Sequence, residues 1–257
     1  MLHVVGNGFR FAGSIAAVML VGLAVARGAG PELSGDRLPT NDGDLVVHPI
    51  NHATLVLGWK NEVIYVDPVG GADRFASLPP ATLVLITHIH GDHFDPPTLQ
   101  AVAGARTEIM VPPTVAEKLP GALRARARIM THRETATIRG VAIEAVPAYN
   151  LTPARLSYHP KGRDNGYLLT LGGKRVYLSA DTEDIPEMRA LKGVEVAFVC
   201  MTLPYTMTVE QAADAVRAFK PRIVYPYHSR GSDLGKFRQL VGSEAGVEVR
   251  LRDWYAR

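Results

Sequence analysis

The chain has 257 residues, 47% hydrophobic and 21% charged, enough for one sizeable core and unlike a disordered composition. Its formal charge of +3 comes from Lys and Arg spread along the chain, with Arg124, Arg126 and Arg128 the nearest approach to a cluster; nucleic-acid binding is therefore not expected. The single cysteine, Cys200, excludes an internal disulfide framework and a thiolate-rich metal site.

The first segment differs in kind from the rest. Arg10 precedes the uncharged apolar run Phe11–Ala26, which ends Ala24-Val25-Ala26. A basic start, an apolar stretch and a small-residue cleavage site form the pattern of a secretory signal peptide. Residues 1–26 are read as that leader, with an uncleaved membrane anchor as the alternative; only the anchor would bring membrane contact. The run is short of the roughly 20 residues that a spanning helix needs. Residues 27–43, with Gly, Pro, Asp and Asn, read as a linker, and 44–257 as the folded domain. A periplasmic or secreted location is the expectation.

Beyond the linker, Leu45–Pro49, Thr54–Gly58 and Val63–Asp67 read as strands closed by turn residues. Thr82–Thr87 is a continuous apolar run, suited to a strand buried on both faces. Pro96-Pro97 opens a helix to Ala103, Glu108–Val111 is a strand, and Pro113–Leu119 a helix. Ile129–Met130, Thr135–Ile138 and Val141–Val146 read as successive antiparallel strands. Tyr167–Leu171 and Lys174–Ser179 form a hairpin turned at Gly172-Gly173. Pro186–Leu191 is a short helix and Val194–Val199 a strand. Thr208 and Gln211 form a capping-box pattern for a helix to Phe219. Ile223–Tyr225, Leu234–Val241 and Val247–Leu251 complete the order as strand, helix and strand. Two halves emerge, each with several strands followed by strand–helix alternation. That pattern predicts an α+β fold of two mixed sheets packed face to face with helices outside, an αββα sandwich.

His88, His90 and His93, with Asp92, fall within six residues directly after a buried strand, where functional loops collect. Three imidazoles and a carboxylate suit a borderline divalent ion such as zinc. Gly91 is expected to let the loop bend.

The run Thr87-His88-Ile89-His90-Gly91-Asp92-His93 resembles the H-x-H-x-D-H signature of the metallo-β-lactamase superfamily, and later landmarks follow in the same order. Asp67 resembles the aspartate that braces the site loop, Asp181 the one that bridges two metals, and His228 the last histidine ligand. The resemblance implies His88 and His90 on one ion, Asp92, His93 and His228 on a second, and Asp181 shared. Two divalent ions, zinc foremost, are implied, with manganese, iron or a single ion as alternatives. Two metals about 3.5–4 Å apart activate a water as hydroxide and polarise the bond it attacks. Asp92 is the implied catalytic residue, orienting the nucleophile and carrying its proton.

The chain departs from the family in one respect that matters. The usual third histidine of the first ion, after a strand like Val141–Val146, is replaced by Pro147-Ala148-Tyr149-Asn150. Asn150, as an oxygen donor, and His159, from the following loop, are the candidate substitutes. The glycine that usually precedes the bridging aspartate is Ala180, read as a minor packing change. Asn51-His52-Ala53-Thr54 and Asp67-Pro68 resemble the ascorbate-6-phosphate lactonase-like branch, so His52 is a candidate to face the site, and Tyr205 a candidate substrate contact.

The expected activity is metal-dependent hydrolysis of an ester, lactone, amide or phosphodiester in a small molecule. The competing expectations are a metal-binding sensor or redox protein without turnover, and a β-lactamase.

Overall fold

Alternation along the first strands sets the layers. In the computed structural model, which describes residues 1–3, 32–242 and 246–255, β2 (Asp44–Asn51) and β3 (Thr54–Trp59) pair antiparallel. Leu45, Val47, Leu55 and Leu57 belong to the large core shared with the second sheet. Val46 and Val56, one position out of step, belong to a second cluster with Leu99, Val115 and Ala116 of the flanking helices. The period of two thus buries both faces of one sheet against different partners.

The first sheet has the order β1-β2-β3-β4-β5-β6-β7, with β1 at Asp36–Pro39, β4 at Glu62–Val66, β5 at Leu83–Leu85, β6 at Glu108–Val111 and β7 at Ala127–Ile129. Strands β1 to β4 pair antiparallel and β4 to β7 parallel. The second repeats the scheme: β8 (Thr135–Ile138), β9 (Val141–Ala148), β10 (Asp164–Leu171) and β11 (Lys174–Leu178) are antiparallel. Strands β12 (Val194–Cys200), β13 (Ile223–Tyr227) and β14 (Glu248–Val249) then join in parallel. Helices α1 (Pro96–Val102), α2 (Pro113–Lys118) and α3 (Gly121–Arg124) belong to the first half. Helices α4 (Pro186–Arg189), α5 (Val209–Phe219) and α6 (Leu234–Val241) belong to the second. This is the expected sandwich of two mixed sheets with helices.

Several local expectations hold. Gly172 and Gly173 both take positive φ, 54° and 78°, as the two-residue turn between β10 and β11 requires. Thr208 and Gln211 exchange both bonds of the capping box at α5.

Two expectations are overturned, and one helix was not anticipated. The stretch read as a linker contains β1, in which Leu38 is buried and Asp36 pairs with Val47. The domain therefore begins before residue 44; the low apolarity of an edge strand concealed it. Strand β7 is not antiparallel to β8: it extends the first sheet parallel to β6, and the chain changes sheets between Ile129 and Thr135. Short strands carry no signal of partner. The unanticipated helix is α3, whose four residues are too few to show a period.

The leader expected at 1–26 lies almost wholly outside the described residues. Among those described, no helix is long and apolar enough to cross a membrane.

Candidate metal centre

Strand ends and loops deliver the candidate residues. Asp67 follows β4, the His88–His93 loop follows β5, Asp181 follows β11 and His228 follows β13. His52 lies in the β2–β3 turn and His159 in the β9–β10 loop. His52, Asp67, Ala180 and His228 all hold positive φ, between 43° and 55°. That conformation costs a non-glycine residue roughly 1–2 kcal/mol. Ala180 is therefore more than a packing change: it occupies, at a backbone cost, a position that glycine takes freely. Gly91, by contrast, has no positive φ, and a Cβ there would meet nothing within 4 Å. The turn of that loop is held instead by His93 N and Phe94 N donating to His90 O at 3.0 and 2.8 Å.

Asp181 lies between two poles. On one side His88, His90 and His159 bring ligand nitrogens within 4.8 Å of one another, and His159 Nε2 is 3.4 Å from Asp181 Oδ2. On the other, His228 Nε2 is 3.3 Å from both Asp181 Oδ2 and Asp92 Oδ2. His93 Nε2 is 3.5 Å from Asp181 Oδ1 and 3.9 Å from Asp92 Oδ2. His52 joins Asp92 and His228 in a further group of suitable donors. His159, which an exposed loop would have kept in solvent, is buried.

The far sides of the imidazoles are tied down. His93 Nδ1 lies 2.7 Å from Asp67 Oδ2, while Asp67 accepts from Thr87 N and Oγ1, each at 2.7 Å. His88 Nδ1 is 2.9 Å from Thr87 Oγ1, His159 Nδ1 3.0 Å from Asp164 Oδ2, and His228 Nδ1 3.1 Å from Thr202 Oγ1. Each contact leaves Nε2 facing inward, the arrangement that orients histidine ligands of metals.

Charge is unevenly distributed. Burial pushes Asp181 up, but the nearby imidazoles of His228, His93 and His159 hold it well below the usual carboxylate range. Asp92 is lowered likewise, because bonds from His228 and His52 outweigh burial. Burial lowers His93, but Asp181, Asp67 and Asp92 outweigh it and raise it to about 9. Burial and the neighbouring His93 leave His88 well below its ordinary value. Meanwhile His93 Nε2, His159 Nε2 and Asp181 Oδ1 are buried without a hydrogen-bond partner. Orphaned polar atoms of this kind carry a penalty of about 1–3 kcal/mol each. A nitrogen-and-carboxylate set that converges without internal partners fits divalent ions of the zinc type.

The family model described as the β-lactamase superfamily domain matches residues 63–229. The chain belongs to the metallo-β-lactamase superfamily. A UPF0173 metal-dependent hydrolase of Pyrococcus abyssi is 31% identical over 217 residues, 78% of this chain and 93% of that protein. The solved structure of a protein from Parabacteroides distasonis, assigned as a metal-dependent hydrolase, is 41% identical with a TM-score of 0.80. That match covers 88% of this chain and all of the other. YhfI of Bacillus subtilis, a metallo-β-lactamase fold protein, shares the superfamily fold at 14% identity and TM-score 0.64, over 80% of this chain and 95% of its own.

The other candidates have different surroundings. Asn150 donates through Nδ2 to Arg155 O and Tyr205 O, at 3.0 and 2.7 Å, tying two loops together. Tyr205 is exposed and meets Tyr158 edge-on at 5.0 Å. Sequence reading did not anticipate Asp164, which the Arg163 guanidinium also grips, or Glu183. The buried Glu183 carboxylate accepts from Leu151 N, Thr152 N, Thr152 Oγ1 and the Arg155 guanidinium. Nothing local marks such residues; Glu183 lies two positions beyond Asp181, which is the only hint available.

Proposed function

We propose that this protein is a metal-dependent hydrolase with a two-ion centre. His88, His90 and His159 would hold one ion, Asp92, His93 and His228 the other, with Asp181 between them. The observation that carries this reading is the buried convergence of His93 Nε2, His159 Nε2 and Asp181 Oδ1, all without partners. Zinc is the favoured ion, because imidazole and carboxylate donors suit it; manganese and iron accept the same donors. When bound, the ions supply Lewis acidity and lower the pKa of water.

Asp92 is the proposed catalytic residue. Its side chain is 50% exposed while the donors around it are buried, so it stands where a substrate and its attacking water arrive. Held below the carboxylate range, it stays ionised, which suits it to hold an ion and to orient the attacking water.

The substrate is proposed to be a small ester, lactone, amide or phosphodiester with an apolar portion. Leu151, Leu156, Leu203 and Tyr205 are large apolar side chains left exposed, and Asn150 joins the loops that carry them. Tyr205 is a proposed contact. Export through the apolar leader would place this activity in the periplasm or outside the cell.

The test is elemental analysis of purified protein combined with p-nitrophenyl esters, an acyl lactone, bis-p-nitrophenyl phosphate and nitrocefin. Two equivalents of metal and turnover lost in Asp92→Asn are expected. Full metal occupancy with no turnover on any class would favour a sensor instead.

A further inference from the structure

Asp92 is half exposed, so its carboxylate needs something to hold it. Two imidazoles approach the same oxygen: His228 Nε2 and His52 Nε2 each lie 3.3 Å from Asp92 Oδ2. His228 is already assigned to the proposed ion, and its Nδ1 is occupied by Thr202. His52 has no such assignment, and its role depends on which nitrogen carries the proton.

The surroundings of His52 bear on that. Its backbone holds φ 54°, with its N donating to Trp254 O and its O accepting from His228 N, both at 3.0 Å. Trp254 is buried against Phe198 and Tyr227, which anchors the end of the chain beside the centre. The next residue, Tyr255, brings its hydroxyl 2.8 Å from His52 Nδ1. The same oxygen accepts from Ser229 N at 2.9 Å. With Ser229 N–H on one side of that oxygen, the phenolic proton is free to point at Nδ1, the arrangement taken for the pair. A neutral imidazole that accepts at Nδ1 carries its own proton on Nε2. That nitrogen faces Asp92.

We propose that Tyr255 and His52 are a positioning pair for Asp92: the Tyr255 hydroxyl holds His52 in its Nε2–H form, and Nε2–H donates to Asp92 Oδ2. The inference rests on the reading of Asp92 as a residue of the metal centre. In this arrangement His52 is a donor to a carboxylate and contributes no lone pair to an ion. The ring positions agree with this: the His52 and His228 centroids are 3.7 Å apart with the planes tilted by 33°, and both Nε2 atoms address Asp92 Oδ2. Asp92 keeps its other oxygen for the reaction.

The opposite tautomer has opposite consequences. With its proton on Nδ1, His52 would offer an Nε2 lone pair beside Asp92 and His228, making it a third donor to the second ion. One proton on one ring thus separates a positioning residue from a ligand.

The test uses the chain as it is exported or purified, nitrogen-15 labelled and loaded with zinc. Long-range proton–nitrogen spectra read the His52 tautomer directly. The expected result is a protonated Nε2 and an unprotonated Nδ1, with zinc content equal in wild type, Tyr255→Phe and His52→Gln. Tyr255→Phe should shift His52 towards Nδ1–H and lower kcat about tenfold with KM little changed, on whichever chromogenic substrate is turned over. His52→Gln, whose amide still donates, should retain more kcat than His52→Leu. A metal-shifted Nε2 with the proton on Nδ1, or loss of one zinc in His52→Gln, would overturn the proposal and make His52 a ligand. Failure of the metal-centre reading appears separately, as a zinc content near zero in wild type, and removes the reactive role of the pair with it.

Discussion

His159 Nε2 lies 3.4 Å from Asp181 Oδ2 and shares a donor group with His88 and His90, although His159 comes eleven positions after Ala148, where β9 ends. His159 is the proposed stand-in for the histidine that the superfamily resemblance implies directly after that strand. His159→Ala should therefore reduce bound zinc from two equivalents to one, whereas His132→Ala should leave two. Elemental analysis after gel filtration makes the comparison. Unchanged zinc in His159→Ala would mean that His159 is not a ligand.

Asp164 accepts at His159 Nδ1 and is itself gripped by Arg163. Removing such an outer partner typically weakens metal binding about 10–100-fold. Asp164→Asn is expected to lose that much zinc affinity at the His159 pole in a chelator competition, with the second equivalent bound as in wild type. Equal weakening of both equivalents would indicate a general loss of fold.

The metal-free protein should carry a pH dependence that the loaded protein lacks. His93 is raised to about 9, so the stability it contributes is complete below its unfolded value near 6.5 and disappears as pH rises through about 9. The loss is on the order of 3 kcal/mol between those values. Asp181 is depressed, so its contribution is present above the usual aspartate range and disappears on acidification. Thermal unfolding of chelator-treated protein should accordingly show Tm falling between pH 6.5 and 9, while zinc-loaded protein stays level there. A flat profile for the metal-free form would contradict the charge assignment.

Glu183 accepts four hydrogen bonds from one loop segment, Leu151 to Arg155. Glu183→Ala leaves Leu151 N, Thr152 N and Thr152 Oγ1 without this partner, while Arg155 keeps Thr206 O and Gln211 Oε1, at a cost of about 2–4 kcal/mol. Urea unfolding should detect it, together with a raised KM for substrates that reach the Leu151–Leu156 rim. A change under about 0.5 kcal/mol would show the loop to be held by other means.

How much of this was legible beforehand follows from how local each signal is. His88 to His93 declare themselves because donors two and three residues apart need only one loop to meet. Asp181 and His228 are readable through their order behind strands. His159 was nameable as a candidate, but its burial depends on Asp164 and on the loop that Glu183 closes, contacts that no spacing encodes. Tyr255 meets His52 across 203 positions, and no pattern in either segment points to the other. In the fold, the two halves were visible as strand–helix alternation. The edge strand β1 was not, and neither was the partner of the three-residue β7, since a short strand takes its partner from the tertiary structure. Ala180 reads as an ordinary small residue until its positive φ is known.

The most direct test is anomalous diffraction at the zinc edge from crystals of the zinc-loaded protein. Two peaks are predicted on either side of Asp181, one within ligand distance of His88, His90 and His159, the other of Asp92, His93 and His228. A single peak, or two peaks with His159 bound to neither, would contradict the two-ion centre proposed for this chain.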